Sequence, residues 1–501
     1  MSHRIKALVL ALAELSVSAQ EICNPATFQN ISLFGGRVLH IDTRSYSDLA
    51  VQVPEGQNHN AKNVSGLDVC EVKIAYERPG LNVTVNTIVW LPTAENWSGR
   101  LLGNGGGGWK AGVEDNATLS WAASEGFAVV STDGGHVAVD PSQWALASTG
   151  NLNWGLFETF ASTSLDDAAT LGKEVIKAFY GKPASYSYWN GCSQGGRQGY
   201  LMAQRYPEQY DVQNSFQLTN AGEYPNSCEF EAILAAVIKS CDANDGLTDT
   251  IILSPGDCTF DPSTLIGQQH ICPSTNRTIT ISAAAATVAK QAWTGATSPS
   301  GEFLWHGLSK DSNLLLHAGT TCSPNGTCLG APEPLPISWM KYFLALDPTF
   351  NTLNITTAQF TPLFRSSVDR YDSVIGTSNP HLTALHNAGA KLLSWHGLAD
   401  PGIGHSGTEH YVRQVYDRDP LAASYYRYFE APGLDHCGAG TKGFYPGDAL
   451  GSLIRWVEEG VVPETLEART REGVEKTVEL CAWPKKMVYV GDEGKGGFGC
   501  K

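Results

Sequence analysis

The stretch that most constrains the fold is Tyr186-Ser187-Tyr188-Trp189-Asn190-Gly191-Cys192-Ser193-Gln194-Gly195-Gly196-Arg197-Gln198-Gly199-Tyr200-Leu201. An aromatic, β-favouring run enters Gly-x-Ser-x-Gly, and a helix-like segment follows. This is the sequence form of a nucleophile elbow, a sharp strand-to-helix turn that lifts a serine hydroxyl to the top of a sheet. The turn tolerates little bulk beside it, hence Gly191 and Gly195. It also puts the backbone N–H of Gln194 at a helix N-terminus, aimed at a developing oxyanion. The bare pattern also describes a glycine-rich turn that holds a serine. The strand before it and the helix after it favour the catalytic reading.

The surrounding chain supplies the sheet such an elbow needs. Val72 to Leu91 alternates in two pieces around Pro79-Gly80 and reads as strands. Arg100 to Asn104 is a strand ending in the run Gly105 to Gly108, followed by Trp109. Hydrolases build the second half of an oxyanion hole at such a place, because glycine lets the backbone approach a substrate with its N–H free; Gly106 and Gly107 are the candidates. Phe127 to His136 reads as a buried strand running into a turn, and Leu165 to Tyr180 has helical spacing. Strands thus alternate with helices to about residue 210, as a largely parallel sheet requires. The fold class is α/β, with an α/β-hydrolase core.

From about residue 220 the β/α alternation fades, cysteines crowd together and Pro/Gly/Ser/Thr-rich pieces appear. Core patterning returns with a helix near Leu382 to Leu385, the strand Lys391 to Gly397 and the helix Ala449 to Glu459. The organisation expected is a catalytic core over 20–219, an inserted lid domain over 220–378, and the second part of the core over 379–501. Residues 1–19 read as a secretory signal, with Arg4 and Lys6 before a short apolar run and Val17-Ser18-Ala19 before a cleavage point.

Composition agrees with export. The 12 cysteines are even in number, and eight N-x-S/T sequons occur, at Asn30, Asn63, Asn82, Asn96, Asn116, Asn276, Asn325 and Asn354. With 34 Lys plus Arg against 50 Asp plus Glu and no basic run, nucleic acid and anionic membranes are poor partners. Composition leaves the oligomeric state open.

A serine nucleophile needs a base to take its proton and an acid to hold that base in the right tautomer. The usual chain order in this fold is Ser, Asp or Glu, then His. Trp395-His396-Gly397-Leu398-Ala399-Asp400 puts an acid in the loop after a core strand, and Glu430 to Cys437 puts His436 in the next such loop. Asp400 and His436 fit the order. Asp435 is the main rival to Asp400; His405 and His410 are competing histidines, and His396 reads as a packed strand-end residue. Cys192 directly precedes Ser193 and Cys437 directly follows His436. If the base reaches the hydroxyl, these neighbours come close too, so a Cys192–Cys437 disulfide is expected to staple the two loops. Cys23 pairs with Cys70, Cys241 with Cys258, and Cys481 with Cys500 on this reading.

Cys241 to Ile251 spaces carboxylates at Asp242, Asp245 and Asp249 around the tight turn at Gly246. Such a loop offers hard oxygen ligands, with backbone carbonyls at Leu247 and Ile251, and suits calcium; a metal-free Asp-rich turn is the equal alternative. It lacks the terminal Glu of an EF-hand.

With the Gly191 to Gly196 elbow, the His396 to Asp400 turn and Asp435-His436-Cys437 in hand, the chain resembles the tannase and feruloyl esterase family over nearly all of its mature length. The Cys-Ser and His-Cys doublets carry the resemblance. It implies an α/β-hydrolase core with a large lid, Ser193 as nucleophile, Asp400 as acid and His436 as base. It also implies a structural calcium ion at Asp242, Asp245, Leu247, Asp249 and Ile251, although Thr250 stands where many members have glycine. The remaining lid cysteines pair as Cys228–Cys272 and Cys322–Cys328. Cys322 to Pro336 and Trp339 to Leu344 look most like fungal class B feruloyl esterases. The activity implied is a secreted serine carboxylesterase acting on hydroxycinnamate esters of plant cell walls or on small aromatic esters. Tannase is the nearest alternative, disfavoured by the lack of the Lys-Arg pair at which many fungal tannases are cut. A catalytically silent hydrolase-fold binding protein is the alternative from another class.

Overall fold

The computed structural model describes residues 22–206 and 224–501, apart from 57, 114, 273, 324–327, 332, 354, 441, 472–475 and 492–495. The signal-like segment 1–19 and the sequons at Asn325 and Asn354 therefore lie outside the described residues. Two long strands open the chain, β1 (Arg37–Val53) and β2 (Lys62–Glu77), followed by β3 (Thr84–Pro92). They form an antiparallel meander. Short connections can only reverse the chain, which is why this half of the sheet is antiparallel rather than parallel as the β/α alternation suggested.

The parallel part begins with β4 (Arg100–Asn104), helix α1 (Asn116–Ser124) and β5 (Phe127–Thr132). Helix α2 (Ser164–Tyr180) then leads to β6 (Tyr186–Asn190) and helix α3 (Gln194–Arg205). The sheet order is β1-β2-β3-β5-β4-β6, parallel only at β5/β4 and β4/β6. All six residues of β5 are buried, as a central strand covered on both faces requires. On one face Leu171, Val175, Ile176 and Phe179 of α2 pack over Val89, Leu101 and Val130. Arg78 from the end of β2 pairs with the buried Asp167 in the first turn of α2. That anchors the helix.

Residues 224–378 carry helices α4 (Ser227–Cys241), α5 (Ala283–Thr294) and α6 (Thr357–Ile375), with short two-stranded ribbons between them. A separate apolar cluster of Phe230, Ile233, Ala285 and Ala289 holds α4 against α5. Then come β7 (Leu392–Gly397), helix α7 (His405–Arg418), β8 (Tyr426–Ala431) and helix α8 (Ala449–Glu459). Helix α8 covers the second face of the main sheet, with Leu453 and Trp456 packed among Leu102, Val129 and Tyr188. Arg100 at the start of β4 grips Glu458 of α8 with two hydrogen bonds of 2.7 Å.

Strands β7 and β8 pair in parallel with each other but form no ladder with β6. Side chains join the two sheets instead. Asn58 donates to Asn190 of β6 at 2.5 Å and accepts from Trp395 of β7 at 2.7 Å. Below them Tyr200 of α3 shares hydroxyl contacts with Ser394 of β7 and Tyr426 of β8. A cavity of about 100 Å³ lies at this seam, bounded by Trp189, Asn190, Leu393 and Leu453.

All six disulfides pair as the sequence suggested: Cys23–Cys70, Cys192–Cys437, Cys228–Cys272, Cys241–Cys258, Cys322–Cys328 and Cys481–Cys500.

Candidate active site

Ser193 sits between β6 and α3 at φ 58° and ψ −118°. A non-glycine residue in that region is strained, the backbone form expected of the elbow read from the sequence. The flanking glycines are there for space. A Cβ on Gly191 would lie 2.5 Å from the carbonyl of Gly195, and one on Gly195 would lie 2.9 Å from the carbonyl oxygen of Gly106. The elbow is bound to the glycine run by the Gly195 N–H, which donates to Gly106 O at 2.8 Å.

His436 opens the short turn after β8, and Asp400 lies in the loop after β7. Their hydrogen bond, His436 Nδ1 to Asp400 Oδ2, is 2.8 Å. Asp400 Oδ1 accepts the backbone N–H groups of Gly402 at 2.7 Å and Ile403 at 2.8 Å. Burial pushes the Asp400 carboxyl up, but hydrogen bonds from His396 and His436 outweigh it and hold the group well below the usual carboxylate range. For His436, burial lowers the proton affinity, yet the bond and charge of Asp400 raise it above its ordinary value. Of the two candidate acids it is therefore Asp400, and not Asp435, that meets the His436 ring. Burial, with the charge of Asp400 beside it, pushes Asp435 up to about 6. Among the competing histidines, His405 hydrogen-bonds Ser309 and His410 hydrogen-bonds Gln414, and neither lines a cavity with Ser193.

Ser193 and His436 share the walls of two cavities. No hydrogen bond joins the two side chains. The Cys192–Cys437 disulfide fixes their neighbours with Cα atoms 5.7 Å apart.

One candidate donor needs correction. The Gly106 N–H donates to Gln198 Oε1 at 3.0 Å, and the Gly105 N–H to Asn190 O at 2.9 Å. Both point into the packed interior because the run is tied to β6 and α3. Gly106 is thus unavailable to an oxyanion. The N–H groups of Gln194, Gly107 and Gly108 have no hydrogen-bond partner among the described residues, and Gln194 and Gly108 line the larger cavity.

That cavity has a volume of about 530 Å³. Its apolar walls include Trp109 and Phe160 from the core, and Leu335, Trp339, Phe364 and Tyr371 from the 224–378 segment. Trp109 stacks on Phe343 with ring centres 5.1 Å apart, and Phe343 stacks on Trp339 at 4.7 Å. His317 and Glu333 are polar groups on the wall. Neither was legible in the sequence, where nothing distinguishes them from surface residues of an irregular segment.

In the Asp-rich turn, Asp242 Oδ1 accepts the Asp249 N–H at 3.3 Å, and Asp245 accepts from the N–H groups of Leu247 and Leu253. Burial raises the Asp245 carboxyl, and the charges of Asp249 and Asp242 add to it. The carbonyls of Leu247 and Ile251 accept no backbone hydrogen bond among the described residues. The donor set is hard oxygen throughout and fits calcium chemically. Its spacing is open: among the described residues no three His, Cys, Asp or Glu gather closely enough to hold a metal, and Lys476 Nζ lies 2.7 Å from Asp249 Oδ2.

The architecture matches hydrolase-fold enzymes. A tannin acyl hydrolase from Aspergillus niger superposes with a TM-score of 0.86 at 24% identity, covering 96% of this chain and 95% of that one. Among curated proteins, a probable feruloyl esterase of Arthroderma benhamiae is 38% identical over 456 residues, 85% of this chain and 84% of the relative. A probable feruloyl esterase B of Aspergillus niger is 28% identical over 492 residues, 88% and 89% of the two chains. The sequence model described as tannase and feruloyl esterase matches residues 70–496. The chain belongs to the tannase and feruloyl esterase family and is a carboxylic ester hydrolase.

Proposed function

We propose that the chain is a secreted serine carboxylesterase that releases hydroxycinnamic acids, such as ferulic acid, from esters of plant cell-wall sugars. The observation that carries this is the conjunction of a strained Ser193, a His436–Asp400 hydrogen bond and an aromatic-walled cavity that Ser193 and His436 both line. Ser193 Oγ attacks the ester carbonyl while His436 Nε2 takes its proton. The oxyanion rests on the Gln194 N–H and on Gly107 or its neighbour Gly108. The intermediate collapses as His436 returns the proton to the leaving alcohol oxygen. Water, deprotonated by the same imidazole, then attacks the acyl-enzyme; the acyl–Oγ bond breaks, His436 returns the proton to Ser193 Oγ, and the carboxylic acid leaves. Asp400 keeps the His436 proton on Nδ1, so Nε2 stays the base.

The flat ring of a hydroxycinnamoyl group suits walls of Trp109, Trp339 and Tyr371. Residues 220–378 act as the lid that supplies most of that pocket. The Asp-rich turn serves as a calcium loop of Asp242, Asp245 and Asp249 with the Leu247 and Ile251 carbonyls; a bound ion would supply positive charge that rigidifies the turn. Six disulfides support secretion, as do exposed side chains at all six described sequons. Among the described residues no helix is long and apolar enough to cross a membrane.

A galloyl esterase is the second reading, favoured by the close superposition on the tannin acyl hydrolase. Comparing kcat/KM for methyl ferulate and methyl gallate decides between them. A clear ferulate preference supports the first reading, and a strong gallate preference rules it out.

A further inference from the structure

We propose that His396, read from the sequence as a packed strand-end residue, is a positioning residue for the acid–base pair. It acts through a chain of side chains, Thr408–His396–Asp400–His436. The inference rests on the esterase reading above and deepens it.

His396 ends β7 and is 6% exposed; Thr408 lies in the first turn of α7 and is 2% exposed. His396 Nε2 is 2.9 Å from Ile403 O and 3.3 Å from Asp400 Oδ2. A carbonyl and an ionised carboxylate only accept, so Nε2 carries the proton. Nδ1, 2.9 Å from Thr408 Oγ1, is then the acceptor of the threonine hydroxyl in the neutral ring. The two imidazoles thus face one oxygen in opposite tautomers, His436 hydrogen-bonded to it and His396 close beside it while donating to Ile403 O. His436 presents Nδ1–H to Asp400 Oδ2 and keeps Nε2 for the serine, whereas His396 presents Nε2–H and is held from behind. With two backbone N–H groups on Oδ1 and the His436 N–H on Oδ2, the carboxylate takes three hydrogen bonds, and the His396 ring closes on Oδ2 at 3.3 Å.

This sharing has a chemical consequence. A carboxylate that divides its charge between two N–H groups is a weaker acceptor for each. Without His396, more of the Asp400 charge falls on His436. The imidazolium becomes more stable, and the carboxylate plane is freed. The other ionisable groups around the pair are Asp435, Glu333 and His317 near His436, Glu430 opposite His396 on β8, His405 near His396, Lys486 beyond it, and Asp311 facing Asp435. None is altered by substitutions at 396 or 408.

The test uses the full chain with His396→Leu, His396→Gln and Thr408→Val, alongside Ser193→Ala as control. Steady-state kinetics on methyl ferulate are measured across pH, and folding is checked by near-UV circular dichroism. His396→Leu should lower kcat about tenfold or more with KM changed less than about twofold, a smaller loss than removal of the acid itself. The acid limb of kcat/KM should move up by roughly half a pH unit or more. His396→Gln, whose amide N–H can reach Asp400 while its oxygen accepts from Thr408, should restore most of both. Thr408→Val should shift the limb the same way by less. A folded His396→Leu or Thr408→Val with the wild-type limb and kcat overturns the proposal. So does a loss confined to thermal stability. If His396→Leu does not fold, Thr408→Val decides. An inactive Ser193→Ala beside unaltered pH profiles removes only the role of His396; an active Ser193→Ala removes the esterase mechanism with it.

Discussion

Replacing Cys192 and Cys437 together by alanine tests whether the sulfur link is part of the machinery or only a brace. The bridge closes a loop of 245 residues, for which the chain-entropy relation gives about 5.5 kcal/mol. The nested bridges Cys228–Cys272 and Cys322–Cys328 shorten that loop in the unfolded chain, which lowers the figure only slightly, to about 5.3 kcal/mol. Removing Cys481–Cys500, which spans only 19 residues, should cost about 3 kcal/mol by the same relation. Equilibrium unfolding in guanidinium, followed by tryptophan fluorescence, compares the two double variants. The second comparison is catalytic. Losing the 192–437 link frees the turn that carries His436, and a misplacement of about 1 Å can cost on the order of 100-fold in rate. The first variant should therefore lose kcat while still folded, and the Cys481/Cys500 variant should keep it. If the 192–437 variant keeps both its unfolding midpoint and its kcat, the reasoning about the staple is wrong.

Asp400→Asn should lower kcat by roughly 10³–10⁴-fold with the fold intact, because the amide favours the wrong imidazole tautomer; Asp435→Asn should cost far less, and the reverse order would transfer the acid role to Asp435. The base must be neutral to accept a proton, and Asp400 raises the proton affinity of His436 against the opposing effect of burial. The kcat/KM of a neutral ester should accordingly fall on the acid side of a pKa above the ordinary value of about 6.5. A pH profile whose limb lies below that value contradicts the pairing. Dialysis against EDTA should lower the melting temperature by several degrees, with recovery on adding calcium, since an ion at 100 times its Kd stabilises by about 2.7 kcal/mol. Elemental analysis that finds no calcium, together with an unmoved melting curve, would sink the calcium loop.

What could be read from the sequence was whatever one local rule determines. Gly191 and Gly195 mark the elbow because backbone meets backbone there, and the Ser–Asp–His order follows from successive strand ends of one fold. The doublets Cys192-Ser193 and His436-Cys437 turned a chain-order argument into a spatial one. What escaped depends on distant partners. Whether a glycine N–H in the 105–108 run is free or spent is decided by Gln198, some ninety positions later. The antiparallel meander was masked because strand periodicity is the same in both senses of pairing. The seam between β6 and β7 rests on Asn58, a residue with no periodic signal at all. His396 is packed at the strand end as the sequence suggested; what one dimension did not show is that its two nitrogens face Thr408 on one side and Ile403 with Asp400 on the other.

The central claim is that Ser193 takes up the aromatic acyl group. Acid-quenching the enzyme during turnover of methyl ferulate and mapping its peptides by mass spectrometry tests this most directly. The expected result is a feruloyl adduct on the peptide carrying Ser193, absent from Ser193→Ala. An adduct on another residue, or full turnover by Ser193→Ala, would contradict the account.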